Sequence, residues 1–150
     1  MSTVAAVSPS LTIRRRFNAP PTRVYAAWTE PAQIARWFGP GKVVIVDAVF
    51  ETRAGGRFAI HARSPDTGDD HHVSGTVKEA KPNEKLVYTW AWRSTPDRES
   101  LVTVEFKPDG GGTLLVLTHE KFFDDGARDR HNMGWTGALD KLDAYLAGAR

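Results

Sequence analysis

The chain has 150 residues, of which 41% are hydrophobic and 25% are charged, and its formal net charge is +2. These values are typical of a folded globular domain and exclude a disordered chain. The absence of cysteine excludes disulfides, thiolate metal sites and a cysteine nucleophile. The basic excess is small, and Arg14, Arg15 and Arg16, the one tight basic run, must alternate between the faces of a strand. Nucleic-acid binding is therefore not predicted.

The first ten residues, MSTVAAVSPS, lack the basic start and the long apolar segment of a signal peptide. No segment approaches the roughly 18 consecutive apolar residues that a membrane-spanning helix needs. We therefore expect a cytoplasmic protein with no membrane partner. Residues 1–10 are predicted to form a flexible tail, and residues 11–150 a single domain.

The domain begins with a predicted strand and two short helices. Alternating apolar residues in LTIRRRF indicate a strand whose inner face carries one charge, Arg15. Because proline is tolerated where a helix begins, a first helix is predicted from about Pro21 to Thr29. A second begins at Pro31 and continues through Arg36.

Six further strands, separated by turn residues, are predicted between Val43 and about Glu120. The segment LVYTWAW is the most informative, because it places an almost entirely aromatic set on one face. A last helix carries an apolar stripe at helical spacing, made of His131, Trp135, Ala138, Leu139, Leu142 and Leu146. These elements predict an α+β domain whose long C-terminal helix lies across the concave face of a curved sheet.

The strand register predicts which side chains are buried, and a shift of one residue would reverse every assignment. Thr89, Thr103 and Glu105 are expected on the outside. The residues expected to be buried are Phe58, Tyr88, Trp90, Val102, Val104, Leu115, Leu117, Trp135, Leu139 and Leu142.

Several short motifs occur in a characteristic order along the chain. They are Ala19-Pro20, Val24 to Pro31, Ala35 to Pro40, Gly55 to Phe58, Leu86 to Trp90, Gly112 to His119, and Gly134-Trp135. The set resembles the homologues of the activator of the heat-shock chaperone ATPase (AHSA-like), within the START-like (SRPBCC) superfamily, from about Leu11 to Leu146. The resemblance implies a helix-grip fold. In that fold a curved seven-stranded antiparallel sheet wraps around the C-terminal helix, two short helices lie between strands 1 and 2, and a cavity separates sheet and helix.

The aromatic strand face either lines this cavity or fills the core. We predict that it lines a ligand pocket. His119 and His131 are expected near the cavity mouth, where each either touches a ligand or serves only as a hydrogen-bonded structural residue. The full predicted pocket comprises Trp37, Phe38, Phe58, Ile60, Tyr88, Trp90, Trp92, Val102, Val104, Leu117, His119, His131, Trp135 and Leu139.

Arg15 needs water, a carboxylate or an anionic ligand, because an unpaired buried guanidinium is costly. It either reaches the edge of the sheet or anchors the acidic group of a ligand. No metal site and no cofactor are predicted, since His61 points outward and His71-His72 fall at a loop edge without zinc-ligand spacing. The glycine runs fit hairpin turns rather than phosphate loops. No catalytic residues are identified.

Three functions remain open at this point. The first is a binding protein for a small hydrophobic molecule, either lipid-like or aromatic. The second is an enzyme of cyclase or hydrolase type that uses the same pocket. The third, implied by the resemblance, is a co-chaperone in a stress response, although the eukaryotic activators carry a separate chaperone-binding domain for which 150 residues leave no room. We expect a monomeric or homodimeric binding protein rather than an enzyme.

Overall fold

The computed structural model describes residues 8–39 and 41–148. Residues 1–7 of the predicted tail and Pro40 of one motif lie outside the described residues. Seven strands and three helices follow in this order: β1 (Leu11–Phe17), α1 (Pro21–Thr29), α2 (Pro31–Trp37), β2 (Val44–Phe50), β3 (Arg57–Arg63), β4 (Asp70–Lys81), β5 (Lys85–Trp92), β6 (Ser100–Asp109), β7 (Gly112–Glu120) and α3 (Asp125–Gly148).

All seven strands form one curled antiparallel sheet in the order β1-β7-β6-β5-β4-β3-β2. Each strand from β2 to β6 pairs with the next along the chain, and β1 closes the opposite edge beside β7. The two short helices connect β1 to β2, which places them at one end of the curved sheet. The predicted helix-grip fold is confirmed.

The helix α3 lies in the concave face of the sheet and buries Trp135, Ala138, Leu139 and Leu142. His131 and Leu146 at the two ends of the predicted stripe are only partly buried. The outer side of the helix is polar, and among residues 8–39 and 41–148 no helix is both long and apolar enough to cross a membrane. The apolar periodicity of α3 thus reports its packing against the sheet.

The core is aromatic where α1 and α2 close over the sheet. The Trp28 ring centroid lies 4.7 Å from that of Trp37 and 5.9 Å from that of Trp135. Helix α2 ends at Trp37, one residue past its predicted end, and the Trp37 Nε1–H donates to the carbonyl of Ala27 at 2.8 Å. All ten residues expected to be buried are buried.

The prediction that Thr89 lies outside was wrong, because its side chain is only 6% exposed. The backbone of β4 crosses unusually close to it at Gly75, where a Cβ would lie 1.9 Å from the carbonyl oxygen of Thr89. The Thr89 hydroxyl accepts the N–H of Thr76 at 2.8 Å, and the β4–β5 register slips between Val77 and Glu79. At this irregularity the backbone of β4 covers the side chain of Thr89, although that side chain points outward.

Candidate functional site: a cavity between sheet and helix

A cavity of about 350 Å³ lies between α3 and the β3–β5 part of the sheet. Most of the lining side chains are apolar, and several are aromatic. The complete lining is Phe38, Gly39, Val43, Ile60, Ala62, His71, Val73, Trp90, Trp92, Arg130, His131, Gly134, Trp135 and Ala138. An apolar wall with a few polar groups is the usual composition of a small-molecule site.

The cavity is wide beside Gly134, in the middle of α3. A Cβ added there would meet no heavy atom within 4 Å. Glycine costs about 1 kcal/mol relative to alanine inside a helix, so local helix stability does not account for it. The missing side chain leaves space between the helix and the sheet.

The structure brings six of the fourteen predicted pocket residues to the cavity wall. They are Phe38, Ile60, Trp90, Trp92, His131 and Trp135. The other eight are fully or almost fully buried in the core and do not line the cavity: Trp37, Phe58, Tyr88, Val102, Val104, Leu117, His119 and Leu139.

These eight residues pack in the core instead, and for Tyr88 the physical cause is helix α1. At the α1 end, Trp28 enters the concave face and its Nε1–H donates to the Tyr88 hydroxyl at 3.2 Å. Phe106 packs edge-on against Trp28 at 6.0 Å. Helix α1 therefore covers part of the sheet face that was predicted to line the pocket. The cavity is confined to the other end of the sheet.

His119 belongs to a buried hydrogen-bonded chain rather than to the cavity mouth. The Trp135 Nε1–H donates to its Nδ1 at 3.0 Å, which identifies Nδ1 as the unprotonated nitrogen. The Nε2–H of His119 then donates to the Ser100 hydroxyl at 2.7 Å, which donates to the carbonyl of Trp90 at 3.1 Å. Burial, aided by electrostatic coupling to the nearby His131 imidazole, lowers the pKa of His119 to about 2.

The donors in this series of hydrogen bonds point the opposite way to the proton transfer that nucleophilic catalysis needs. An activated serine donates its proton to histidine, whereas Ser100 receives a proton from His119 and donates its own to a backbone carbonyl. The imidazole of His119 and the hydroxyl of Ser100 thus find their partners within the core. The geometry therefore supports a structural role for both residues.

His131 forms the second tryptophan–histidine pair, and it does line the cavity. The Trp92 Nε1–H donates to its Nε2 at 2.9 Å, so its Nδ1–H donates to the carbonyl of Ala127 at 2.7 Å. Burial lowers the pKa of His131. This arrangement requires the neutral imidazole, which adds no charge to the wall.

Residues 18–147 match the family described as activator of Hsp90 ATPase homolog 1-like protein. The chain belongs to this family. Among curated proteins no relative matches. The AHSA1-like assignment agrees with the order of motifs in the sequence and with the helix-grip architecture.

Solved structures share the AHSA1-like fold over nearly the whole chain. CV1439 from Chromobacterium violaceum superposes with a TM-score of 0.84 at 24% identity, covering 93% of this chain and 97% of that one. The AHSA1 protein SPO3351 from Silicibacter pomeroyi gives 0.83 at 28% identity, covering 93% and 98%. CalU16 from Micromonospora echinospora gives 0.73 at 29% identity, covering 93% and 76%.

Arg15 lies outside the cavity of this AHSA1-like protein. Its Nη1 lies 2.6 Å from Oδ1 of Asp140, and its Nη2 lies 3.6 Å from Oδ2 of Asp143. Both carboxylates are on the outer side of α3, so the guanidinium links the edge strand β1 to the helix. The structure gives no support to Arg15 as an anchor for an anionic ligand, because these carboxylates already pair with its charge.

The histidines of β3 and β4 lie on both faces of the sheet. His61 and His72 stack with ring centroids 4.1 Å apart, and His61 Nε2 lies 2.9 Å from a carboxylate oxygen of Asp70. Within the described ranges no three histidine, aspartate or glutamate side chains are grouped to hold a metal ion.

Sequence reasoning missed His71, which was assigned to a loop edge. It is in β4, pairs in register with Ala62 and lines the cavity, where its Nε2 lies 2.9 Å from the Ser64 hydroxyl. The sequence did contain a signal for this position: His71 is two residues from Val73, so their side chains lie on the same face of the strand. The remaining missed residues are Gly39, Val43, Ala62, Val73, Arg130, Gly134 and Ala138.

A second, more polar cavity of about 240 Å³ adjoins the first. The two cavities share Trp90, Trp92, Arg130 and His131 in their walls. These four side chains therefore lie between an apolar cavity and a more polar one.

Proposed function

We propose that the protein binds a small hydrophobic molecule in the apolar cavity between the sheet and α3. The observation that carries the proposal is the cavity itself: about 350 Å³ walled by Phe38, Trp90, Trp135 and their neighbours. An apolar cavity of about 150 Å³ is enough to admit benzene. The space here suits a ligand with two or three rings, or a short acyl chain.

The packing of the side chains around the cavity supports ligand binding, because these side chains are held in fixed positions. Trp135 and Trp92 are each fixed by a hydrogen bond to a histidine, and the Trp90 ring lies 5.3 Å from Trp135 and 5.7 Å from Phe58. These contacts fix the side chains of the walls before a ligand arrives. Pre-organised walls reduce the cost of ordering side chains on binding.

The test fills the cavity from Gly134. Phenylnaphthylamine, a neutral aromatic probe that brightens in apolar surroundings, is titrated into wild type and into Gly134→Phe. Met133→Phe is the matched control, because Met133 is the adjacent residue on α3 and is 75% exposed.

We expect saturable binding of one probe molecule to wild type and to Met133→Phe, with quenching of tryptophan fluorescence. Gly134→Phe should keep the melting temperature and lose the binding. Equal binding by Gly134→Phe would reject the cavity as the site. A wild type that does not bind the probe saturably would reject the proposed function.

The family description favours one second candidate, a co-chaperone role. Its test is the ATPase rate of Hsp90 with and without the purified chain. Stimulation that survives Gly134→Phe would show that such an activity does not use the cavity.

A further inference from the structure

We infer that the ligand of this cavity is an aromatic acid, with its rings in the cavity and its anionic group against Arg130. The inference rests on the proposed function and names the chemical class of its ligand. It rests on two observations: the ionisable side chains of the cavity walls are basic, and the carboxylates of the neighbouring helix turn are paired with other groups.

Both cavities are lined by basic ionisable side chains and by no carboxylate. His71, Arg130 and His131 line the apolar cavity, and Arg98 joins Arg130 and His131 in the more polar one. His131 is held neutral by the N–H of Trp92, and His71 is hydrogen-bonded to Ser64. Arg130 is therefore the fixed positive charge common to both chambers.

The carboxylates near Arg130 are already engaged. Asp125 and Asp129 lie 3.6 and 3.1 Å from nitrogens of Arg128, and Asp124 Oδ1 accepts the N–H of Ala127 at 2.8 Å. Among the described residues no carboxylate lies within ion-pair distance of Arg130. Its guanidinium therefore keeps its capacity for a ligand anion, which it can bind through two parallel N–H groups.

The rings of the wall indicate the body of the ligand. Phe38, Trp90 and Trp135 pack with ring centroids 5.3 to 6.0 Å apart, and Trp92 stands perpendicular to Trp90 at 5.6 Å. Such faces and edges favour another aromatic ring over a flexible chain. An exposed arginine at the boundary of the cavity places the acidic group towards water, where its desolvation cost is small.

The test compares two probes that share one ring system. Phenylnaphthylamine is neutral, and anilinonaphthalene sulfonate carries the same rings with an added sulfonate. Arg130→Gln should weaken binding of the sulfonate about fivefold, the upper range for a largely exposed ion pair, and leave the neutral probe unchanged. Arg14→Gln, which removes the same charge from the exposed face of β1, should change neither.

A measurement on wild type supports the variants. Raising the salt concentration should weaken the sulfonate and not the neutral probe, because exposed charge pairs are screened. Arg130→Lys keeps the charge and should retain most of the sulfonate affinity.

Each failure has a distinct pattern. If wild type binds the neutral probe and Arg130→Gln binds the sulfonate as tightly as wild type does, the aromatic-acid inference is wrong and the proposed function stands. If Arg130→Gln weakens both probes equally, its effect is structural and the inference is again wrong. If neither probe binds wild type saturably, the proposed function itself fails.

Discussion

The Trp135 Nε1–H and the His119 Nδ1, 3.0 Å apart, join α3 to β7 in the centre of the protein. Trp92 and His131 repeat the relationship at 2.9 Å beside the cavity. In each pair an indole donates to an imidazole nitrogen, so each histidine must be neutral in the folded state. The cavity walls are thus fixed by bonds that depend on protonation.

The first prediction concerns pH. His119 has a pKa of about 2 in the folded protein, against 6.5 for a free histidine, so only the unfolded chain takes up this proton between those values. Stability is full above about pH 6.5 and falls as the pH drops below it, by about 2 kcal/mol from about pH 7 to about pH 5 for this residue. His131 contributes in the same direction.

Urea unfolding at both pH values measures this loss in wild type and in His119→Gln. The variant is less stable at neutral pH but should lose about 2 kcal/mol less on acidification. An equal pH dependence in both proteins would show that His119 is not buried in its neutral form.

The second prediction compares two buried tyrosines. Tyr88→Phe removes the acceptor of the Trp28 N–H and should cost about 1–3 kcal/mol, because a buried donor is left unsatisfied. The Tyr25 hydroxyl has no hydrogen-bond partner within the described part of the chain, so Tyr25→Phe should be neutral or slightly stabilising. Denaturant unfolding of both variants checks the order, and a larger loss at Tyr25 would contradict it.

The third prediction compares two glycines. Gly75→Ala would place a methyl group 1.9 Å from the carbonyl oxygen of Thr89, forcing β4 away from β5 at a cost of about 2–3 kcal/mol. Gly134→Ala meets open space and should raise stability by up to about 1 kcal/mol through helix propensity. Thermal melts should move in opposite directions, and a harmless Gly75→Ala would refute the close approach.

The fourth prediction concerns Arg15. Because its partners Asp140 and Asp143 are more than half exposed, Arg15→Gln should cost less than about 1 kcal/mol. The affinity of this variant for the anionic probe, anilinonaphthalene sulfonate, should equal that of wild type. A weaker affinity would instead support Arg15 as a ligand anchor, a role for which the structure gives no support.

The fold was predictable because two periodicities leave few alternatives. Alternation in LVYTWAW sets one face of β5, and the spacing of Trp135, Leu139 and Leu142 sets the face of α3 that meets it. Both depend only on local backbone geometry. Thr89 escaped this reasoning because its burial comes from a contact between two strands at Gly75.

The cavity was predictable only in part, because an unfilled volume depends on how side chains from all the surrounding elements pack. The parity of Trp90 and Trp92 placed them inside, but nothing in their strand indicated that Trp28 of α1 would cover Tyr88. Gly134 was visible as a motif residue, although its role as missing volume requires the packed helix. Arg130 was overlooked because a single exposed arginine on a helix has no distinguishing pattern.

The most direct test of the central claim is a crystal structure of wild type with phenylnaphthylamine bound. We predict electron density for its rings between the sheet and α3, in contact with Phe38, Trp90 and Trp135 and beside Gly134. Density for the probe only on the protein surface, with side chains closing the space beside Gly134, would contradict the account.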